Sequence, residues 1–498
     1  NMDIKYVSTR GDNEKVTASQ AILSGIAPDG GLYVPETFPK LDKSLEELKG
    51  LNYREIAYEV MKLFLTDFTE EELKACIDSA YDSKFDTEEI VPMKEADGLI
   101  YLELFHGPTL AFKDMALSIL PYLMVTSAKK NNLKEKIIIL TATSGDTGKA
   151  ALAGFADVEG TGIIVFYPKD GVSPFQRQQM VTEKGKNTSV VAIEGNFDDA
   201  QNGVKAIFSD KALAAELKEK GYVFSSANSI NIGRLVPQIV YYVYAYVKLL
   251  NEGKLSPGEI LDVCVPTGNF GNILAASFAK ELGLPLGKLI CASNTNKVLF
   301  DFFKTGTYDR DREFTLTISP SMDILISSNL ERLIYRLCDC DAAKNAKFMS
   351  ELVNEGKYTI DKAMADKLTD FEAGFATEED TLNTIKEVFD KTGYVIDTHT
   401  AVAAFVANEY RNKNTSHNKI LIASTASPFK FAGSVLKALE NDKVENFTSE
   451  WDKIRELERI SGKKLPEAAG EIENAKVIHK DICAKDEMKA LVKEKILK

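Results

Sequence analysis

Short runs of apolar and β-branched residues recur along the chain and alternate with longer helical stretches. The apolar runs predict buried strands at 136–143, 162–167, 189–193, 260–266, 289–293 and 419–424. Helices are predicted between them at 148–158, 200–220 and 272–282. Because strands and helices alternate, the pattern predicts right-handed βαβ units around mostly parallel sheet.

Some segments depart from this alternation. Residues 2–99 are acidic and rich in predicted helix, after a strong turn signal at 27–31. Residues 300–393 carry charged helices without clear buried strands, which predicts a helical insertion. The segment 474–498 has mixed charge and is predicted to be a surface helix.

The length of 498 residues exceeds what one hydrophobic core supports, so we expect two or three domains. The most apolar long run, 235–250, contains Pro237, Gln238 and Lys248 and predicts a buried helix, not a membrane span. The chain begins Asn-Met-Asp-Ile-Lys without an apolar stretch, and this beginning predicts a cytoplasmic protein.

The formal net charge of −13 repels nucleic acid and anionic membranes, so neither is an expected partner. The same charge repels anionic substrates at long range, and a phosphate site would have to be built locally from amides and a few cations. The 4 histidines and 6 cysteines lack metal-ligand spacing, so no metal site is predicted.

In open α/β sheets, ligands bind where strands end and helices begin, and one such junction lies at 265–272. Gly268 and Gly271 permit a tight turn that exposes successive N–H groups at a helix N-terminus. This arrangement suits a phosphate, although an ordinary Gly/Asn turn explains the same residues.

A second junction, TATSGDTGK at 141–149, resembles a nucleotide-binding P-loop but fails its spacing. Thr143 stands where that motif needs glycine, and Ala150 follows the lysine where it needs serine or threonine. The remaining cluster of small polar residues and amides suits a carboxylate. Nucleotide binding stays an alternative that an ATP titration would test.

A third segment, FHGPTLAFKD at 105–114, places Lys113 among apolar and small residues. Desolvation lowers the pKa of a lysine amine from about 10.4, and a neutral amine can form a Schiff base with an aldehyde. The alternative is a surface lysine at the start of a helix.

Taken together, these segments resemble the threonine synthase family of pyridoxal-phosphate (PLP) enzymes. GPTLAFKD at 107–114 resembles its Schiff-base lysine motif, SGDTG at 144–148 its substrate loop, and GNFGN at 268–272 its loop for the PLP phosphate. Further family blocks are similar to GIAPDGGLYVP at 25–35, NSIN at 228–231 with Arg234, SSNLER at 327–332 and DTHTA at 397–401. The resemblance therefore covers nearly the whole chain.

The resemblance implies an α/β protein of PLP fold type II, similar to the tryptophan synthase β-subunit, with two doubly wound open-sheet domains. It implies an N-terminal domain at 1–99, a first PLP-fold half at 100–255 with the Schiff-base lysine, and a second half at 256–498 with the phosphate loop and the insertion near 300–393. It favours a monomer, with a dimer as the alternative.

The implied reaction converts O-phospho-L-homoserine and water to L-threonine and phosphate by β,γ-elimination and replacement. Lys113 would carry PLP and act as the catalytic base, and Thr425 would be a neutral partner of the ring nitrogen. The implied phosphate-loop residues are Gly268, Asn269, Phe270, Gly271 and Asn272. The implied substrate contacts are Ser144, Asp146 and Thr147, with Arg332, Lys430 and Arg234 as candidate cations for the leaving phosphate.

One block departs from the family. TASPFKF at 425–431 keeps Thr425 and Lys430, but Ser427 and Phe429 replace the usual histidine and alanine. His106 and His399 lie in matching motifs without a role that the sequence explains. The alternatives within the fold are threonine dehydratase or another β-eliminating lyase, and outside it a non-catalytic ligand-binding homologue.

Overall fold

The computed structural model describes residues 3–440 and 444–498. Its strands are β1 (Tyr6–Ser8), β2 (Tyr33–Pro35), β3 (Met93–Ala96), β4 (Leu99–Glu103), β5 (Lys136–Ala142), β6 (Thr161–Pro168), β7 (Thr188–Glu194), β8 (Tyr222–Ser225), β9 (Leu261–Pro266), β10 (Leu286–Ser293), β11 (Thr307–Asp309), β12 (Lys357–Thr359), β13 (Phe371–Phe375), β14 (Lys419–Ser424) and β15 (Asp481–Ala484).

The helices of the N-terminal half are α1 (Ala18–Ser24), α2 (Leu45–Leu48), α3 (Tyr53–Phe64), α4 (Glu70–Ala80), α5 (Asp114–Leu117), α6 (Leu120–Lys130), α7 (Asp146–Phe155), α8 (Pro174–Val181), α9 (Phe197–Phe208), α10 (Lys211–Glu219) and α11 (Ile232–Asn251). Those of the C-terminal half are α12 (Gly271–Leu282), α13 (Val298–Thr305), α14 (Leu330–Leu337), α15 (Ala342–Glu355), α16 (Lys362–Ala365), α17 (Glu378–Thr392), α18 (Thr398–Lys413), α19 (Ala432–Glu440), α20 (Glu450–Ser461), α21 (Glu467–Gly470) and α22 (Met488–Ile496).

A six-stranded sheet has the order β13-β10-β9-β14-β4-β3. Its neighbouring strands pair in parallel, except that β3 and β4 pair antiparallel. The predictions of strands at 260–266, 289–293 and 419–424 are confirmed here, since these apolar runs form β9, β10 and β14.

A five-stranded sheet has the order β15-β7-β6-β5-β8, and all its strands pair in parallel. The predicted strands at 136–143, 162–167 and 189–193 are confirmed as β5, β6 and β7. The core of this sheet is fully covered, as every residue of β6 is buried, which fits its unbroken apolar pattern.

The C-terminal segment differs from the prediction of a single surface helix. Residues Asp481–Ala484 form β15, which pairs with β7 at the edge of the five-stranded sheet, and only then does α22 begin. Because Cys483 alone is buried in this four-residue strand, the sequence has too few apolar positions to signal a strand.

The insertion at 300–393 is also less helical than predicted. Phe371–Phe375 forms β13 at the edge of the six-stranded sheet, and β11 pairs with β12 in a small antiparallel sheet. The predicted helix at 200–220 is divided, because Asp210 accepts a hydrogen bond from the Leu213 amide and starts α10 as a new helix.

The N-terminal elements pack on α11, which contacts α3, α5 and α12. Every residue of α11 except Lys248 and Asn251 is buried, despite Pro237 in its interior. No helix in the described part of the chain has the length and apolarity needed to cross a membrane. Strand β3 lies before the predicted boundary at 99/100, and its partner β4 spans that boundary. The domain boundaries stay a prediction.

Candidate active site

The carboxyl ends of three neighbouring strands meet at one edge of the six-stranded sheet. In it, β14 pairs in parallel with β4 on one side and β9 on the other. The segments that follow these strands therefore leave the sheet at the same edge, and they carry Lys113, Thr425 and the 268–272 loop. This is the edge where open parallel sheets bind ligands.

Backbone pairing fixes the Lys113 segment beside Thr425. The Phe112 amide donates to the Thr425 carbonyl at 2.8 Å, and the Ser427 amide donates to the Leu110 carbonyl at 3.0 Å. Ala111 and Ala426 form a bridge between these two contacts. Lys113 therefore starts α5 next to Thr425, although the two are 312 positions apart in the chain.

The residues around Lys113 in its motif support the loop. The Asp114 carboxylate accepts hydrogen bonds from the Thr109 amide at 2.8 Å and the Thr109 hydroxyl at 2.6 Å. A Cβ on Gly107 would lie 2.6 Å from the Asp114 Cβ, so only glycine fits there. Gly107, Thr109 and Asp114 thus hold the turn that presents the lysine.

The Lys113 amine points into the substrate-loop candidate. Its Nζ donates to the Thr147 hydroxyl at 2.7 Å. Burial lowers the pKa of Lys113 to about 8, opposed by Asp146 and assisted by the positive charges of Arg234 and Lys430. A substantial neutral fraction near physiological pH equips the amine as a nucleophile and base.

The 144–148 loop follows β5 and is closed by the side chain of Thr143, the residue directly before it. The Thr143 hydroxyl accepts hydrogen bonds from the Gly145 and Gly148 amides, both at 2.9 Å. Ser144 is exposed, whereas Asp146 is buried. The loop thus presents its hydroxyls and one carboxylate at the end of the five-stranded sheet.

Asp146 lies in a buried ion pair. Lys430 Nζ is 2.8 Å from Asp146 Oδ1, although not in hydrogen-bonding geometry, and the Gln176 amide donates to the same oxygen at 3.1 Å. Burial alone would raise the pKa of Asp146, but Lys430, Lys113 and Gln176 together hold it well below its usual range. The site therefore contains a permanent carboxylate between two lysines.

The 268–272 loop follows β9 and opens α12. Phe270 adopts a left-handed conformation, with φ of 72°, which turns the chain directly into the helix. None of the backbone N–H groups of residues 268–273 donates to an acceptor in the described part of the chain. Free N–H donors at a helix N-terminus suit an anion, so the geometry is compatible with the predicted phosphate loop.

The side chain of Asn272 adds another donor to this loop. The Tyr241 and Tyr242 hydroxyls donate to Asn272 Oδ1. Asn272 Nδ2 is buried and has no partner among the described residues. Because a buried donor without an acceptor is costly, this orphaned amide indicates a bound acceptor.

Arg332 and Arg234, the two arginines predicted to contact the leaving phosphate, are both buried but differ in the number of hydrogen bonds that they make. The Arg332 guanidinium, 0% exposed, donates to the carbonyls of Tyr33 and Ile230 and to the Asn329 side chain. Arg234, 3% exposed, donates from Nη1 to the Ala227 carbonyl, and its Nε has no partner in the described part of the chain. Burial lowers the pKa of each to about 10.

The histidines of the matching motifs make structural contacts. His106 bridges Asp86 at 2.6 Å and Glu103 at 2.9 Å; burial opposes its charge, but the two carboxylates raise its pKa to about 9. His399 Nδ1 lies 2.8 Å from Asp397, and its Nε2 accepts from the Ser321 amide. The latter contact holds the 319–323 segment over Gly268, whose added Cβ would lie 2.5 Å from the Ser321 carbonyl.

Sequence reasoning missed Gln176, Tyr241 and Tyr242. The pattern Ser173-x-x-Gln176 signals a helix start, and the tyrosines read as part of a buried helix. Neither pattern reveals a contact with a distant loop, and Gln176 lies 30 residues from Asp146 along the chain.

Three family models match the chain. They are described as the threonine synthase N terminus at residues 5–81, a pyridoxal-phosphate-dependent enzyme at residues 92–425, and the threonine synthase C-terminal region at residues 400–477. Together they follow the order of the motifs along the sequence.

Among curated relatives, Threonine synthase-like 1 of Pongo abelii is 40% identical over 461 residues, covering 89% of this chain and 61% of that protein. The chain thus spans about three-fifths of the length of this relative. Threonine synthase of Schizosaccharomyces pombe is 35% identical, covering 92% of this chain and 96% of the relative.

The crystal structure of PLP-bound threonine synthase from Brucella melitensis matches with a TM-score of 0.88 at 34% identity, covering 99% of both chains. The predicted fold class, an α/β protein of PLP fold type II, is confirmed. The assigned roles of the individual site residues stay predictions. By its family models, its relatives and its fold, the chain belongs to the threonine synthase family.

Proposed function

We propose that the chain is a threonine synthase that converts O-phospho-L-homoserine and water to L-threonine and phosphate, with PLP as its cofactor. The observation that carries the proposal is the state of Lys113. Its amine has a pKa lowered to about 8, donates to Thr147, and belongs to a segment paired with Thr425. Family membership and this amine favour the same chemistry.

The residues at the sheet edge fit PLP. The unpaired N–H groups at 268–273 and the orphaned Nδ2 of Asn272 suit the phosphate of the cofactor. Lys113 would hold the aldehyde carbon, and Thr425 is the neutral partner that we assign to the ring nitrogen. When bound, PLP supplies a carbon that condenses with amines and a ring that accepts electrons.

Lys113 is the base in this proposal. It would take the α-proton of the substrate and then a β-proton, and phosphate would leave as the C–O bond at the γ-carbon breaks. Protons would then return to the γ-carbon and the α-carbon, and water would add at the β-carbon. A pKa of about 8 leaves about a tenth of the amine neutral at pH 7, and that fraction rises with pH. The Thr147 hydroxyl, which accepts from Nζ, orients the amine.

Arg234 and Lys430 are the cations that we propose for the leaving phosphate. A buried charge without a counter-charge is costly. The Arg234 guanidinium donates only to the Ala227 carbonyl among the described residues, and its Nε has no partner there, so it favours an anionic ligand. Lys430 is buried beside Asp146, and its amine retains unused donors. Arg332 ranks below both, because carbonyls and an amide already occupy its donors.

The test is to incubate the purified full chain and PLP with O-phospho-L-homoserine and to measure phosphate and threonine together. We expect equal amounts of both products, and an absorbance band near the visible edge that changes when substrate is added. Phosphate release without threonine would overturn the proposal in favour of an eliminating lyase. Ammonia release from L-threonine in a parallel sample would identify a dehydratase.

A further inference from the structure

Gln176 connects α8 to the candidate site. Its Nε2 donates to Asp146 Oδ1 at 3.1 Å, and the same oxygen lies 2.8 Å from Lys430 Nζ. A Cβ on Gly145, whose φ is +147°, would lie 2.4 Å from the Gln176 amide group. The amide of Gln176 therefore lies directly against the loop that carries Asp146 and Thr147.

The rest of the Gln176 side chain belongs to the start of α8. The Ser173 hydroxyl accepts from the backbone N–H of Gln176, and the side-chain Oε1 of Gln176 accepts from the backbone N–H of Ser173, both at 3.2 Å. Each polar atom of the side chain thus has a separate task, since Oε1 caps the helix and Nε2 reaches Asp146. This division makes the two tasks separable by substitution.

The other end of α8 is fixed to the C-terminal segment. Gln178 Nε2 donates to the Ile472 carbonyl at 3.0 Å, and the Ile478 and His479 amides donate to the Val181 carbonyl at 2.8 and 3.0 Å. Because these contacts fix α8 at its C-terminal end, the side-chain amide of Gln176 can orient the 144–148 loop from a fixed position.

We propose that Gln176 is a positioning residue for the reaction: its amide holds the Asp146 carboxylate beside Lys430 and so sets the balance of charge around Lys113. The inference rests on the proposed function for its kinetic consequence. Its electrostatic consequence does not depend on the reaction: it rests on the contacts of Gln176 and Lys430 with Asp146, whose charge opposes the lowering of the Lys113 pKa, whereas Lys430 assists it.

Three variants separate this role from helix capping. Gln176→Glu keeps the capping box, which accepts glutamate at this position, but loses the donor and adds a negative charge. Gln176→Met loses both the box and the donor. Ser173→Ala loses the box and keeps the donor.

The kinetic measurement is kcat/KM for threonine formation, with the melting temperature as the structural control. We expect Gln176→Glu and Gln176→Met to lose about tenfold or more in kcat/KM, the equivalent of one hydrogen bond to a charged group. Ser173→Ala should stay within about twofold while its melting temperature falls. If Ser173→Ala loses as much kcat/KM as Gln176→Met, the role is structural and the proposal is overturned.

The second measurement needs neither cofactor nor turnover. The full chain is labelled with an amine-reactive acylating reagent across a pH series, and mass spectrometry follows the modification of Lys113. The added carboxylate of Gln176→Glu should move the labelling midpoint of Lys113 to higher pH, and Ser173→Ala should leave it unchanged. An unchanged midpoint in Gln176→Glu would overturn the inference, even if the wild-type chain made no threonine and the proposed function had failed.

Discussion

The loops at 268–272 and 144–148 each contain two glycines and each join a strand to a helix, but their chemistry has different origins. In the first, the backbone provides the donors, because a left-handed Phe270 and a helix start leave a row of N–H groups without acceptors among the described residues. In the second, distant side chains provide it, because Lys430 and Gln176 hold the Asp146 carboxylate. One loop is a neutral cradle for an anion, and the other is a charge cluster whose balance acts on Lys113.

Removing Lys113 tests whether the two loops serve one reaction. Lys113→Ala should lower kcat by at least about 10³-fold, since the variant loses both the amine that carries the cofactor and the base. The absorbance band near the visible edge should disappear, while PLP should still bind weakly through the 268–272 loop. Retention of more than a tenth of the wild-type activity would show that another residue performs the chemistry.

Lys430→Met disturbs the charge cluster around Asp146 and also removes one of the cations proposed for the leaving phosphate. Because the positive charge of Lys430 lowers the pKa of Lys113, its removal should raise that pKa above about 8. In the wild type, kcat should increase with pH as Lys113 loses its proton. In Lys430→Met this increase should occur at higher pH, and kcat at pH 7 should fall by about tenfold or more.

Lys149→Met is the matched control for Lys430→Met. Lys149 forms another well-buried pair, 3.0 Å from Glu183, close to the same loop. Both variants should lower the melting temperature, since each leaves a carboxylate without its cation. Only Lys430→Met should move the pH profile of kcat, and equal shifts in the two variants would contradict a specific effect on Lys113.

Gly268→Ala disturbs the backbone cradle alone. The added methyl would lie 2.5 Å from the Ser321 carbonyl, so either the loop or the 319–323 segment must move. We expect the affinity for PLP to fall by about tenfold, measured by titration, because displaced N–H groups no longer converge on one anion.

Gly271→Ala provides the comparison for Gly268→Ala within the same loop. A Cβ at Gly271 would meet its nearest neighbour, Asn329 Nδ2, at 3.4 Å, which is an ordinary contact distance. The affinity for PLP should therefore change by less than about threefold. If both variants bind PLP with equal affinity, the close contact between Gly268 and Ser321 does not keep the N–H groups of the loop in position for PLP.

The difference between a loop that uses its own backbone and a loop that depends on distant side chains also explains how much the sequence could predict. The strand at 260–266, the glycines after it and the helix start are local signals, and together they predict the strand-to-helix junction that β9 and α12 form. The partners of Asp146 come from α8 and from the segment after β14, and no spacing rule relates residues so far apart. Arg332 illustrates the limit, because its motif does not reveal that Tyr33 and Ile230 occupy its donors.

The smallest expected effect concerns Tyr242, which supports the cradle from α11. Its hydroxyl donates to Asn272 Oδ1 and so favours the orientation in which Nδ2 is left as a donor. Tyr242→Phe removes one such bond while Tyr241 keeps another, so the affinity for PLP should fall by about two- to tenfold, as for a net hydrogen bond of about 0.5–1.5 kcal/mol.

Tyr246→Phe isolates this effect from the general cost of removing a hydroxyl from α11. The Tyr246 hydroxyl donates to the Glu259 carbonyl at 2.6 Å, one helical turn further along and away from the cradle. Both variants should lose similar stability toward urea, because each loses one hydroxyl bond. A weaker affinity for PLP in Tyr242→Phe alone would mean that α11 orients the Asn272 amide, whereas equal affinities would leave the cradle dependent on its backbone.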